Sequence, residues 1–313
     1  MFLWQRILKI DILYKEGIYM FKTYFMLAFA SAVWGFQPVC VKWLVSEWTP
    51  VTLTVVRYAF ISFCLFFIVY LREGKNILPP KAIWGRLILM GFFGVLVNNV
   101  LQFAGLQYTT VTNCTLISAT APAVTALLAV FLIRERLSVI KWIGIFFSFA
   151  GVLAIVSNGS MELIRQIDFN IGDILCFASQ VSWAVYCFIS LKVMKYISAA
   201  ATTFWFGLIG GFMTCLYGIV SGTLQVTPLS PVALGSFAYM VFLGGLISLY
   251  FYNIGVKMAG PSISAIFLNI MPVVGMVSGA ALFNDQIGPI QLVGAAAIII
   301  GVFLTTHHWN RAE

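Results

Sequence analysis

The chain is 313 residues long, 61% hydrophobic and only 9% charged. A soluble domain is about a quarter charged, so these figures exclude a water-soluble globule and make lipid the solvent for most of the surface. The net charge of +8 does not point to nucleic acid, because the basic residues lie singly or in pairs in short connections and form no arginine-rich arm.

Residues 1–22 carry Arg6, Lys9, Lys15 and Lys22 and are too charged to cross a bilayer. They are expected to be a cytoplasmic segment, read either as an interfacial helix or as an extension upstream of a start at Met20. Ten apolar stretches follow, at 23–44, 50–71, 84–106, 110–133, 139–157, 171–191, 199–220, 234–256, 261–283 and 289–307. Each holds about 20 residues, enough to cross a hydrocarbon core of about 30 Å as a helix. Helices satisfy their own backbone groups in lipid, and the alternating pattern of a membrane barrel is missing. The expected fold class is an all-α polytopic membrane protein with ten transmembrane helices. The longest connections, 72–83, 158–170 and 221–233, are rich in Gly, Pro, Ser or charge, as loops should be.

The pattern from Gly105 to Val152 recurs without a gap from Gly255 to Val302. Gly105 matches Gly255, Pro122 matches Pro272, Gly144 matches Gly294 and Gly151 matches Gly301; further upstream, Gly94 matches Gly244. The chain therefore divides into the segment 1–22, a five-helix repeat at 23–157, a second at 171–307 and a cytoplasmic tail at 308–313. Five is odd, so the two copies insert with opposite orientation, the inverted-repeat plan of secondary transporters with a substrate near the midplane. Of the 18 basic residues, only Lys42, Arg57 and Arg165 fall outside the segments that share a side with the N-terminus. By the positive-inside rule both termini are expected in the cytoplasm of a cell (plasma or inner) membrane.

The residues that could meet a substrate are few. Trp34 and Trp183 are repeat equivalents, and Tyr186 lies three beyond Trp183 on the same helix face. Tyr250, Tyr252 and Asn253 lie in the eighth stretch. Such aromatics suit apolar or aromatic substrates and organic cations, and ordinary helix packing accounts for them equally. Arg57 interrupts the second stretch. It either snorkels outward, towards Glu47, or is the counter-charge for an anionic or zwitterionic substrate. Asn98, Asn99 and Gln102 share a face of the third stretch, because residues three and four apart overlap. Their amides either bond to other helices or line a cavity, where an amide suits both a carboxylate and an amine. Asn269 precedes Pro272, a proline that frees the Leu268 carbonyl to bind a ligand or simply bends the helix.

Other chemistry finds little support. The six cysteines lie in apolar runs without a CxxC pair and read as packing residues. His307 and His308 sit together at the last helix end. Glu135 is flanked by Arg134 and Arg136, and Asp173 opens the sixth stretch as an N-terminal helix charge. No catalytic residue, metal or cofactor is expected. The GxxxG patterns at Gly207–Gly211 and Gly275–Gly279 pack helices within one chain or between two, so a monomer or a weak homodimer is expected.

LAFASAVWGFQPVCVKWL (27–44), GDILCFASQVSWAVYCFISLK (172–192) and RERLSVIKWIGIFFSFAGVL (134–153) resemble the two repeat openings and the fourth-to-fifth helix junction of EamA-type transporters. The likeness spans about 23–307 and departs at NDQIGPIQ (284–291), where the family commonly has Glu-Arg. The chain thus resembles the ten-helix drug/metabolite transporter superfamily, EamA branch. That resemblance implies export of amino acids or related small metabolites and xenobiotics. With the inverted repeat it gives the expected mechanism, alternating access by rocking of two five-helix halves. A nucleotide-sugar or phosphate-ester carrier is the alternative within transport, and a membrane-embedded enzyme the alternative outside it.

Overall fold

The computed structural model describes residues 2–74, 78–109, 117–134, 137–157, 160, 162, 170–283 and 287–306. Glu135, Asn284 to Gln286, and the His307–His308 pair lie outside these residues. Within them eight helices are long and apolar enough to cross a membrane, and two shorter apolar helices accompany them.

The first repeat contains α1 (Phe2–Leu44), α2 (Pro50–Glu73), α3 (Trp84–Gly91, Phe92–Val97 and Asn98–Tyr108 in one run), α4 (Ala121–Ile133) and α5 (Val139–Val156). The second contains α6 (Ile171–Val193), α7 (Ala199–Val220), α8 (Pro231–Val241, Phe242–Ile247 and Ser248–Ala259), α9 (Pro261–Ile266, Phe267–Asn269 and Ile270–Phe283) and α10 (Pro289–Thr306). Charged residues 2–18 continue into the first span as one helix, whose apolar part is Tyr19–Val41. The entries to the helices are capped as their sequences suggest. Thr49 before Pro50, Ser138, Ser198 and Ser230 before Pro231 each accept a first-turn N–H. Asn170 and Asp173 form a reciprocal capping box at the start of α6.

The duplication extends to irregularities. A six-residue π-helical segment interrupts α3 at Phe92–Val97, and another interrupts α8 at the equivalent Phe242–Ile247. α9 tightens into a 3-10 turn at Phe267–Asn269, just before Pro272.

The two repeats do not pack as separate halves. α1 packs on α8 and α9, while α6 packs on α3 and α4. α2 packs on its own equivalent α7, and α5 on its equivalent α10. These self-pairings place a pseudo-twofold axis through the molecule. The Ser148 hydroxyl donates to the carbonyl of its own equivalent, Ile298, at 3.4 Å. Glycine permits this contact: a Cβ on Gly151 would lie 2.5 Å from the Gly294 carbonyl oxygen, and one on Gly144 2.7 Å from that of Gly301.

Gly151→Ile therefore forces backbones apart on the axis. Overpacking of this kind costs about 1–3 kcal/mol. The expected outcome is a clear fall in the melting temperature of the detergent-solubilised protein. An unchanged melting temperature would show that α5 and α10 do not pack this closely.

Candidate functional site

The centre of the bundle is built by each repeat reaching into the other's π-helical segment. In α8 the Ser248 N–H is shared between Gly245 O and Leu243 O, the latter five residues back as in a π-helix. Its α-helical acceptor, the Gly244 carbonyl, takes the indole N–H of Trp34 at 2.7 Å. In α3 the Phe93 carbonyl, which accepts from the Asn98 N–H five residues on, also takes the Ser182 hydroxyl at 2.7 Å. The Tyr239 hydroxyl adds a bond to Val33 O at 2.9 Å, again between α8 and α1.

Around this crossing the aromatic rings form one cluster. The Trp34 and Trp183 centroids lie 5.7 Å apart, Trp34 and Tyr252 5.2 Å, Trp183 and Tyr252 5.5 Å, and Trp183 and Tyr186 4.8 Å. Tyr186 and Asn253 are fully buried and partner one another: the tyrosine hydroxyl donates to Asn253 Oδ1 at 2.8 Å, and Asn253 Nδ2 donates to Thr203 Oγ1 at 3.0 Å. Cys187 lies 3.9 Å from the Tyr252 hydroxyl. These contacts close α6 against α8. Half-buried Tyr250 makes its ring contact with Phe251, outside the cluster.

The equivalent junction, α1 against α3, is different. Gln37 and Gln102 stand where Tyr186 and Tyr252 stand in the other copy. Both are half-buried, and neither makes a hydrogen bond among the described residues. There α1 and α3 scarcely touch, whereas α6 and α8 pack together. Of the other amides in α3, Asn98 donates to Ser179 O at 2.9 Å and so fastens α3 to α6. Asn99 donates to Val95 O at 2.9 Å within its own helix, and lies within reach of the Tyr58 hydroxyl.

Arg57 does not reach outward. It is 4% exposed; its Nε donates to Met240 O at 3.2 Å, and its guanidinium stands 5.7 Å from the Tyr58 ring centre. No carboxylate pairs with it among the described residues. Glu47 is engaged elsewhere: its carboxylate accepts from the Ser230 N–H at 2.8 Å and from the Ser230 hydroxyl. These bonds hold its carboxyl below the usual carboxylate range. On insertion scales a mid-span arginine costs about 2.5–3.5 kcal/mol, so an unpaired one is an expensive feature for a fold to retain.

Asn269 lies in the 3-10 turn of α9, 1% exposed, and neither atom of its amide has a hydrogen-bond partner among the described residues. Ser31 Oγ on α1 and Ser264 Oγ on α9 are also buried without partners. Residues flanking Asn269 pack along one face of α1: Phe267 meets Tyr24, and Met271 meets Gly35. Ser31 lies between those two contacts. A hollow of about 530 Å³ lies away from this centre, on the face of the α2–α3 and α6–α7 loops, lined by Glu73, Lys195, Tyr196, Ser198 and Lys257 among others. Among the described residues, no group of His, Cys, Asp and Glu could hold a metal ion.

Sequence reasoning places Arg57, the α3 amides and Tyr252 near this centre and passes over Gln37, Tyr58 and Ser182. A signal for one of them was present: Gln37 and Tyr186 keep the same spacing as Trp34 and Trp183, so comparison of equivalent positions exposes the exchange of an amide for a ring.

A family model described as the EamA-like transporter family matches residues 21–157 and 170–307. Among curated relatives, the uncharacterized transporter YyaM of Bacillus subtilis (strain 168) is 29% identical over 282 residues, covering 89% of this chain and 92% of the relative. An uncharacterized transporter of Archaeoglobus fulgidus is 26% identical over 286 residues, covering 91% and 97%. A crystal structure of a protein 18% identical to this one superimposes with a TM-score of 0.73 over 90% of this chain and 95% of the other; at that identity the likeness shows the fold alone.

A buried amide without partners costs about 1–3 kcal/mol relative to an apolar group of similar shape. Asn269→Leu is therefore expected to raise the melting temperature while lowering transport. A fall in melting temperature would show that the amide is satisfied in the folded protein.

Proposed function

The chain belongs to the EamA-like transporter family, and from that premise we propose that it is a secondary exporter of amino acids or related small metabolites and xenobiotics, working by alternating access. It acts in the cell (plasma or inner) membrane, as a monomer or weak homodimer, with both termini in the cytoplasm and no catalytic residue, metal or cofactor. The orientation is supported by the distribution of lysine and arginine.

One observation carries the mechanism: the unequal closure of two junctions that the duplication makes equivalent. α6 and α8 are joined through Tyr186–Asn253 and Cys187–Tyr252, while α1 and α3 scarcely touch. With the termini inside, this is an outward-open state whose cleft is bordered by Gln37, Arg57, Asn99 and Gln102. The inward-open state exchanges the two, bringing Gln37 towards Phe103 and parting Tyr186 from Asn253. The rocking units cut across the repeats. α1 moves with α8 and α9, and α6 with α3 and α4, because the Trp34–Gly244 and Ser182–Phe93 bonds tie each opening helix to the other repeat.

The substrate range is supported by mixed walls: a cation and amides on one side, the Trp34–Trp183 cluster on the other. A phosphate-ester carrier would need more positive charge than Arg57 supplies. Proteoliposome flux against a panel of amino acids, organic cations and sugar phosphates tests the activity; failure to move any solute would remove the transporter assignment.

Two measurements test the mechanism. In a background lacking native cysteines, the pair Gln37→Cys and Phe103→Cys is expected to form a disulfide during turnover and lower flux about tenfold or more, reversibly with reductant. A pair that never links in an actively transporting protein would overturn the exchange. For orientation, a thiol at Gly159 should react with an impermeant reagent in intact cells and one at Asn76 should not; the reverse pattern would invert the topology.

A further inference from the structure

The duplication sets two equivalent positions against the two π-helical segments, and the chain fills them differently. On the α6 side the Tyr186 ring covers Gly94, where a Cβ would come within 2.6 Å of the ring. Phe206 lies beside that ring at 4.9 Å, and the Tyr58 ring lies 6.0 Å from Phe206. This position is filled from within.

On the α1 side the counterparts of Tyr186 and Phe206 are Gln37 and Arg57, and Gly244 stands in place of Gly94. The atoms nearest a Cβ on Gly244 are Gln37 Oε1 at 3.3 Å, Tyr239 O at 3.8 Å and Arg57 Nη2 at 3.9 Å. None of these nearest atoms belongs to a ring; the Trp34 indole meets this glycine only at its carbonyl. Among the described residues Arg57 hydrogen-bonds only through Nε, to Met240 O, and its Nη2 stands next to the position with its N–H groups uncommitted. The Gln37 amide is likewise unbonded among the described residues. Among the described residues no counter-ion from the protein is at hand. Asp173 is the only acidic residue within a candidate span, and it is committed to the Asn170 N–H and the Thr109 hydroxyl at the start of α6.

We propose that Arg57 and Gln37, beside the side-chain-free Cα of Gly244, form a carboxylate-binding subsite, and that the substrates are organic monoanions or zwitterions held by that carboxylate, with an apolar or aromatic body against Trp34 and Trp183. This deepens the transporter reading and rests on it for the word substrate. The guanidinium is a planar fork that matches two carboxylate oxygens. Glycine at 244 leaves the room that Tyr186 takes in the other copy. An ammonium group on the ligand is tolerated but not required, since no anion stands ready for it. Organic cations are excluded by the unpaired charge of Arg57.

The test uses three probes that share a ring and differ in charge: 3-phenylpropionate, phenylalanine and phenethylamine, with sodium chloride as an inorganic anion. Both carboxylates are expected to raise the melting temperature of the full-length protein in detergent; phenethylamine and chloride are not. Arg57→Met should raise the half-saturating concentration of 3-phenylpropionate about tenfold or more, with Arg57→Lys between it and wild type. Gln37→Tyr should abolish protection without lowering the unliganded melting temperature, because it copies the arrangement already present at Tyr186 over Gly94 and leaves the Arg57–Met240 bond intact. Equal protection of Arg57→Met and wild type, protection by phenethylamine, protection by chloride equal to that by 3-phenylpropionate, or no protection by either carboxylate would each overturn the subsite. Flux separates this from the broader reading. If proteoliposomes move a panel solute and Arg57→Met moves it equally, transport stands and the subsite falls. If carboxylates protect through Arg57 but no solute moves, the subsite stands and the transport reading falls.

Discussion

In a hydrocarbon solvent every backbone carbonyl needs a partner, and a helix that shifts to π geometry leaves one without. The two π-helical segments do this at matching depths, and the opening helix of the other repeat takes up the released or shared acceptor, Gly244 O by Trp34 and Phe93 O by Ser182. The rest of the bundle depends on that reciprocity. It joins α1 to α8 and α6 to α3, and so defines two helix groups that each contain both repeats. It also brings Trp34 and Trp183 into contact on either side of the pseudo-axis. A duplicated chain whose halves packed only on themselves would have no such shared centre.

A symmetric frame makes every departure from symmetry informative. Where α6 meets α8 the residues are Tyr186, Tyr252 and Asn253, large or bonded side chains that shut the junction. Where α1 meets α3 they are Gln37, Gln102 and Phe103, with two amides left half-buried. Likewise Gly210 receives Val95 on one side of the axis, while Gly245 receives Ile61 on the other. That second exchange moves a side chain across an interface and keeps its volume, which packing tolerates. The first replaces aromatic volume by polar groups beside a buried arginine, which packing alone would not favour.

Much of the fold was legible from the chain. The ten spans, the duplication and its inversion followed from apolar length, glycine spacing and an odd helix count, because lipid tolerates few other solutions. The π-helical segments were not legible: Phe92–Val97 and Phe242–Ile247 read as ordinary apolar helix, and the shift is set by contacts from other helices. The polar residues could be named and not their partners. Arg57 was open between Glu47 and the bundle interior, and the structure turns it inward to Met240 O because Glu47 is held by Ser230. Asn98 shared a helix face with Gln102, but whether that face met α6 or a cavity depended on the rotation of α3, which no local signal fixes.

Buried polar groups without partners occur in both helix groups. On α6, Ser179, Ser182 and Ser190 are hydrogen-bonded, while the Trp183 indole N–H has no partner among the described residues. On α1, α8 and α9, the buried Ser31, Ser248, Ser264 and Asn269 likewise have none among the described residues. A protein selected only for stability in one state would replace such groups, since an apolar side chain of like shape is no worse there and usually better. Alternation asks for something else: two states close in energy, each reachable from the other. Unsatisfied groups in both helix groups keep the observed arrangement from becoming too deep a minimum. The same reasoning accounts for Arg57. In the proposed subsite its charge would be costly while the cleft is empty and less so once an anion enters, so occupancy would act directly on the balance between the two junctions.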